Sequence, residues 1–421
     1  MRKILSIMLC ALLLIGTLPL AVVAEELNEE LNTDAAVTTA ASADEQNDVD
    51  DSIEEDITDD AEQEINEEND IALLAVEAGE ENGYKYNLLI DSVTDEKYAC
   101  IVSYTGTSAD LTIPDSLGGY PVRMIGYEAF ANNKVITGVV IPDSVTEIDT
   151  YAFSNCINLS SVKLSQNLKK IGGNVFYNCQ ALKAIEIPKS LTKTDTHYGG
   201  AFNSSGLETV TFEEGVTKIP AKLFDQCTSL KEITIPDTVT EIGEWAFSYC
   251  TNLSQVTLSK NLTFIDYYAF DHCTSLKEIE IPKSLVTSGQ YERGSFIDSG
   301  IEKISFEEGT EKIADRLFDD CSNLKEVVIP DTVTEIGNAA FMDCTNLASV
   351  KLPSNLQSLG GSAFENCVSL QEIEIPKSLN KVNESNYNGP FYESGLKTVI
   401  FADGTTEIAE YLFDGCTELA D

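Results

Sequence analysis

The sequence predicts a β-rich solenoid of stacked repeats behind an acidic, unfolded segment. A Phe recurs thirteen times at steps of 22 to 27 residues, and longer stretches of sequence recur 94 residues apart. In the regular repeats, an alternation of apolar residues that is typical of a strand follows the Phe at a fixed distance. One repeat of this length cannot bury its apolar edge alone, so neighbouring repeats must stack. The recurring residues are Phe130, Phe153, Phe176, Phe202, Phe224, Phe247, Phe270, Phe296, Phe318, Phe341, Phe364, Phe391 and Phe413.

Residues 1–24 have the layout of a secretory signal peptide. Arg2 and Lys3 precede an apolar run, and the segment ends in the small residue Ala24. This layout predicts export and cleavage before Glu25. The alternative is an uncleaved membrane anchor, because about 20 apolar residues can span a bilayer. Cys10 is predicted to leave with the peptide.

Residues 25–83 are predicted to form an acidic disordered tether. From Glu25 to Glu81 there are 23 acidic residues and no Lys or Arg, and such a segment repels itself. All 34 aromatic residues lie at or after Tyr84, so only the later part can build a packed core. The tether is interpreted as a spacer, with capture of calcium or a basic protein as the alternative. The net charge of −43 argues against nucleic acid as a partner.

Each repeat, or rung, is predicted to hold one short strand and one tight turn. In the rung that follows Phe224, Ile233 and Ile235 should point inward and Thr234 outward, and Pro236 should end the strand. The segment around Phe247 combines bulky and small residues, which suits a short helical or 3₁₀ turn on the outer side.

The pattern Leu-x-x-Ile-x-Ile-Pro-x-x-Val-x-x-Ile-Gly-x-x-Ala-Phe-x-x-Cys resembles the BspA-like, treponemal class of leucine-rich repeat. It covers residues 120–421 in about 13 rungs with a super-repeat of 94 residues, and the last rung is incomplete. Residues 84–119 resemble the amino-terminal cap of such proteins. The resemblance implies a leucine-rich repeat solenoid with a parallel sheet on its concave side. It also implies a secreted or surface protein of bacteria or some protists that serves adhesion or protein binding, without catalytic residues.

Nine cysteines occupy the same position of successive rungs, and their side chains should therefore point the same way. Rungs about 4.8 Å apart do not exclude disulfides by distance, but the parallel orientation disfavours them. We therefore expect small buried thiols, ten with Cys100. Asn133, Ser205, Ser299 and Ser394 stand where Cys would be expected. The nine are Cys156, Cys179, Cys227, Cys250, Cys273, Cys321, Cys344, Cys367 and Cys416.

No residue pattern predicts an enzyme or a cofactor. His272 is next to Cys273, but its position is filled by unrelated residues in other rungs, which argues against a Cys/His dyad. Glu186, Glu280 and Glu374 recur 94 residues apart, as a solvated charge pattern does. The sequence has no clustered Cys/His set for zinc and no Gly-rich phosphate loop after a strand.

Three irregular rungs provide the candidate binding residues. Each replaces the regular Val-x-x-Ile-Gly step with a longer polar loop, and the loops recur at the same phase. Tyr198, Tyr291 and Tyr387 should then form a row of exposed aromatic side chains four rungs, or roughly 19 Å, apart, with His197 and Arg293 beside them. The alternative is that they pack back over the rung in place of the missing Ile. The loops are Lys193 to Gly200, Val286 to Gly294 and Lys381 to Pro390.

Two function classes follow. The first is a secreted or cell-surface bacterial protein that binds a macromolecule: a host or bacterial surface protein, or a wall polysaccharide. A membrane contact is expected only through the signal segment, if it is uncleaved. The alternative is a non-catalytic targeting or spacer region of a longer enzyme or anchored protein, because the chain stops at Asp421 just after it opens a new rung.

Overall fold

The computed structural model describes residues 77–289, 293–383 and 387–419. The predicted signal peptide and residues 25–76 of the predicted tether lie outside this part. The described chain is a stack of rungs with parallel strands, preceded by an amino-terminal cap. The predicted fold class is therefore confirmed.

The cap begins earlier than the sequence predicts. Strand Glu77–Glu81 pairs antiparallel with Tyr84–Ile90, so the prediction of a disordered tether up to residue 83 is wrong for these residues. Asn82 and Gly83 join the two strands with φ angles of 50° and 81°, as a tight hairpin turn requires. The cap strands are Glu77–Glu81, Tyr84–Ile90, Lys97–Tyr104, Ser116–Leu117 and Tyr120–Ile125.

The first strand of each rung follows the predicted alternation. Ile233 and Ile235 are buried, whereas Thr234 between them is exposed. Strands of neighbouring rungs pair in parallel, as Ile233 does with Val256. These strands are Asp110–Thr112, Gly138–Val140, Ser161–Lys163, Ala184–Ile187, Thr209–Phe212, Glu232–Thr234, Gln255–Thr257, Glu278–Ile281, Lys303–Phe306, Glu326–Val328, Ser349–Lys351, Glu372–Ile375 and Thr398–Phe401.

Most rungs also contain a second strand, which corrects the expectation of one strand per repeat. The second strand is two or three residues long and pairs in parallel with its neighbours, as Ile242 does with Ile265. In the regular rungs it places one apolar side chain in the core. Two residues are too few to show a strand period in the sequence. These strands are Glu147–Ile148, Lys170–Ile171, Lys193–Thr194, Lys218–Ile219, Glu241–Ile242, Phe264–Ile265, Thr287–Ser288, Lys312–Ile313, Glu335–Ile336, Ser358–Gly360 and Lys381–Asn383.

The outer segments are series of tight turns instead of helical or 3₁₀ turns. The amide of Ser248 donates to the carbonyl of Trp245 in its own rung, while the amide of Phe247 donates to Ala269 in the next rung. Because successive amides alternate between an acceptor in their own rung and one in the next rung, some residues must adopt the left-handed backbone conformation. Trp245 and Tyr249 do so, with φ angles of 50° and 53°. In the part of the chain that the structure describes, no helix is long and apolar enough to cross a membrane.

The recurring Phe side chains form one continuous stack through the core. Neighbouring rings lie 4.8 to 6.0 Å apart between centroids and 3° to 18° from parallel. Eleven of the rings, from Phe153 to Phe391, are fully buried. Buried Leu, Ile, Val and Cys side chains surround the stack. Each rung therefore completes the core of its neighbours, as the repeat length predicts.

Candidate binding surface

The irregular rungs keep the second strand. Small polar residues take the place of the missing Ile in the first two, whereas Val382 lies opposite Leu359 in the third. Thr194 lies opposite Ile171 in the parallel pairing, and Ser288 lies opposite Ile265. The hydroxyl of Thr194 donates to the carbonyl of Ala221, which satisfies it inside the stack. Tyr198 and Tyr387 do not occupy the Ile position, so that part of the packing alternative is wrong for them.

Tyr198 packs back over the preceding rung and stays 43% exposed. Its backbone crosses so close to Gly173 that a Cβ atom at position 173 would lie 2.5 Å from the Cβ atom of Tyr198. The ring of Tyr198 lies edge-on to Tyr151 at 5.7 Å, and Tyr151 lies edge-on to Tyr127 at 6.0 Å. A cluster of three tyrosines results, in which Tyr127 and Tyr198 are exposed.

His197, the neighbour of Tyr198, is fixed by Asp195. Both the backbone amide and Nδ1 of His197 lie 3.0 Å from Oδ1 of Asp195. Burial alone would raise the pKa of Asp195, but the hydrogen bonds from His197 hold this pKa below its usual value. The imidazole itself is exposed to solvent and is free to contact a partner.

The surface continues on the other side of the Tyr198 loop. Nζ of Lys222 donates to the carbonyl of Thr196 at 2.6 Å and lies 4.7 Å from the ring of Trp245, a cation–π distance. Trp245 stacks on Tyr268 at 5.5 Å and 8°, and Tyr267 lies edge-on to Trp245 at 5.2 Å. We call Tyr127, Tyr151, Tyr198, Lys222, Trp245, Tyr267 and Tyr268 the aromatic band.

The other irregular loops differ from the first. Tyr387 crosses Gly361 as Tyr198 crosses Gly173, but its ring lies 5.5 Å from the guanidinium of Arg316 and is only partly exposed. Arg293 is 44% exposed, 3.9 Å from a carboxylate oxygen of Asp320. Tyr291 lies outside the described residues. The row of three tyrosines therefore stays a prediction.

Tyr151, Trp245 and Tyr268 each lie two residues before the recurring Phe of a rung, but no sequence pattern joins them to the loops. The shared position was the available signal, because equal positions in stacked rungs are neighbours. The link through Lys222 and Thr196 depends on how the loop folds over the rungs, which the sequence pattern does not state.

Cys273 and His272 contact different partners. The thiol of Cys273 donates to the carbonyl of Phe247 at 3.3 Å, and burial raises the pKa of this thiol far above its usual value. Nδ1 of His272 contacts Oδ1 of Asp271 instead. This pair therefore lacks the thiolate that nucleophilic catalysis needs.

The stack of parallel strands in about 13 turns matches the class of leucine-rich repeat solenoids. A family model for the BspA type leucine rich repeat region matches residues 123–198, 198–292 and 290–420 in six copies. The chain belongs to this family, whose solenoids are generally non-catalytic.

Solved structures from several bacteria are similar to this chain. A leucine rich cell surface protein from Faecalibacterium prausnitzii is 28% identical, with coverage of 82% of this chain and 93% of that one and a TM-score of 0.39. A leucine-rich repeat protein from Bacteroides ovatus is 24% identical, covering 81% and 93%, with a TM-score of 0.49. The pneumococcal vaccine antigen PcpA is 18% identical, covering 78% and 99%, with a TM-score of 0.40. No curated protein matches the chain.

Proposed function

We propose that this protein is exported and binds a macromolecule at the cell surface through the aromatic band. The family supports a role in protein interaction, and one similar structure is described as a cell surface protein. The secretory layout of residues 1–24 supports export. The observation that carries the proposal is the contact of exposed Tyr198 with Tyr151 beside exposed Tyr127.

The band suits an extended partner. Tyr and Trp side chains give a large contact area for little loss of entropy, and they dominate the energy of many interfaces. The band runs from the rung of Phe130 to that of Phe270, seven rungs or about 29 Å at a strand spacing of 4.8 Å. That length exceeds a metabolite and fits a polymer. The strongly negative net charge disfavours a polyanion, which leaves a neutral or basic wall polysaccharide or matrix protein.

A pair of variants tests the binding face. Tyr127, Tyr151 and Tyr198 are replaced together by Ser in the full chain, and binding to peptidoglycan sacculi and to collagen fibrils is measured. We expect binding to one of these polymers to fall by at least about tenfold, since each lost aromatic anchor costs of the order of 1 kcal/mol or more. Tyr177→Ser is the matched control, because Tyr177 is also exposed but lies outside the band.

A second triple variant separates the band from the predicted loop row. Replacement of Tyr198, Tyr291 and Tyr387 by Ser removes one member of the band and all members of the row. If the row is the contact, this variant loses the most binding by avidity, and the band is refuted. If the two triple variants bind each polymer as strongly as the wild type does, the proposed function itself is contradicted.

Export has its own test. Expression in a bacterial host followed by amino-terminal sequencing of the secreted chain should show Glu25 as the first residue. Retention of the full chain in the cytoplasm contradicts the proposed location.

A further inference from the structure

The middle of the three 94-residue blocks brings an imidazole and two carboxylates together on the outer turns. Asp271, His272 and Asp298 each offer one ligand atom, and these atoms all lie within 4.8 Å of one another. Nε2 of His272 lies 3.8 Å from Oδ2 of Asp298 on the next rung. Two donor atoms that bind the same metal ion at about 2.0 to 2.2 Å can be separated by at most twice this bond length, which is slightly more than the 3.8 Å between Nε2 and Oδ2. The separation therefore needs little adjustment to bind an ion.

The imidazole is held in one orientation. Its Nδ1 contacts Oδ1 of Asp271, a carboxylate whose side chain is only 8% exposed and whose Oδ2 accepts a hydrogen bond from Ser248 at 3.2 Å. Tyr249 covers one face of the imidazole, 4.3 Å away and 14° from parallel. A carboxylate that holds one ring nitrogen and leaves the other outward is the usual support of a metal-binding histidine. Nε2 is thus the atom presented to Asp298.

The other two blocks show that the fold does not require this arrangement. At the positions 94 residues before, the amide of Asn178 donates to Asn155 at 3.0 Å. At the positions 94 residues after, the amide of Asn366 donates to Asp343 at 2.7 Å. An Asn ladder therefore satisfies these left-handed turns, and Asn favours that conformation. His272 and Tyr249 stand at the positions of these hydrogen-bonded pairs, so they replace a structural solution that the chain already has.

We infer that His272 and Asp298 bind a divalent transition metal ion, with Asp271 as the positioning residue for the imidazole. A mixed set of imidazole and carboxylate donors suits Zn²⁺ better than Mg²⁺ or Ca²⁺, which prefer oxygen ligands alone. The His272 and Asp298 side chains are 37% and 46% exposed. The remaining coordination positions therefore face solvent and are open to water or to a donor group of a partner.

The test is a Zn²⁺ titration of the full chain by calorimetry in excess Mg²⁺, which occupies the carboxylate-only sites of the acidic segment. We expect one saturable Zn²⁺ site. His272→Asn restores the residue of the other blocks and should weaken this site by about tenfold or more without lowering Tm in the presence of a chelator. Asp298→Ser introduces the residue found 94 positions earlier, at Ser204, and should weaken the Zn²⁺ site similarly. His197→Asn, which removes the other histidine, should leave it unchanged.

Spectroscopy gives an independent readout in the unmodified protein. The chain has two histidines, so Co²⁺ should shift the imidazole NMR signals of His272 and leave those of His197 in place. Equal Zn²⁺ affinity of wild type, His272→Asn and Asp298→Ser overturns the inference. Shifts confined to His197 overturn it as well.

Discussion

The thiol of Cys250 donates a hydrogen bond to the carbonyl oxygen of Phe224, 3.2 Å away on the preceding rung. The same contact recurs along the stack at 3.1 to 3.4 Å, so each sulfur is directed at a backbone carbonyl and not at the next sulfur. These nine contacts and the continuous stack of aligned Phe rings link neighbouring rungs on the core side. The cysteines therefore serve as small hydrogen-bonding core residues.

Thiol counting tests this role. The mature, denatured and unreduced protein should titrate with ten free thiols, the number of unpaired cysteines in the described chain. In the native protein they should react slowly, because burial raises the pKa of Cys156 to about 11 and that of Cys100 to about 12. Half-buried Cys416 should react first. A count near zero on material protected from oxidation contradicts the prediction.

The Phe stack should dominate stability. Phe247→Ala is expected to lower the free energy of unfolding by about 3 to 5 kcal/mol, because it opens a cavity between two stacked rings. Phe413→Ala should cost clearly less, since Phe413 is partly exposed and stacks on one repeat Phe only, at 6.0 Å. Denaturant unfolding and hydrogen exchange of the adjacent rungs measure both. Equal losses at the two positions would contradict a continuous stack.

Gly173 should be required for the position of Tyr198. Gly173→Ala places a Cβ atom 2.5 Å from the Cβ atom of Tyr198, so the loop must move at a cost of about 1 to 3 kcal/mol. Combination with Tyr198→Gly should recover part of this cost, which a double-mutant cycle measures. Gly361→Ala, at the matching loop, should behave in the same way through Tyr387. Full additivity of the two substitutions would show that the residues do not interact.

Asp225 should make stability depend on pH. Burial raises the pKa of this carboxyl to about 6, above its ordinary value of 3.8. The folded chain therefore binds a proton that the unfolded chain has lost, and this contribution to stability is present at pH 4 and disappears as pH rises through 6. From pH 4 to pH 7 the loss approaches about 3 kcal/mol. The variant Asp225→Asn lacks this titratable carboxyl group and should not show this loss.

The measurement is the difference in unfolding free energy between wild type and Asp225→Asn across this pH range. That difference removes the effect of the other acidic groups. The free energy of unfolding of the variant should increase relative to that of the wild type as pH rises. A constant difference would mean that Asp225 has an ordinary pKa.

The repeating part of the fold could be predicted because it is local and periodic. The burial of Ile233 and Ile235 and the stacking of Phe247 follow from spacing alone. The left-handed Trp245 could not be predicted, because its conformation is imposed by hydrogen bonds to neighbouring rungs and opposes the preference of a bulky residue. The hairpin at Asn82 could have been predicted from its Asn-Gly turn, but the acidic residues around it indicated a disordered segment instead.

The candidate sites were harder to predict than the fold. Spacing singled out Tyr198 but could not show its contact with Tyr151 across an intervening rung. The sequence did not single out His272, because unrelated residues occupy its position in other rungs. Its significance comes from Asp298 on the next rung, and such a pairing depends on the register between rungs.

The hydrogen bonds between rungs run along the stack, which has a mechanical consequence. Tension on the two ends of the solenoid loads these bonds in peeling geometry, so rungs open one after another from an end instead of resisting together. Each 23-residue rung that opens lengthens the chain by about 70 Å. A protein held at one end and bound to a surface at the other can therefore extend in small steps under flow and absorb force before the contact itself breaks.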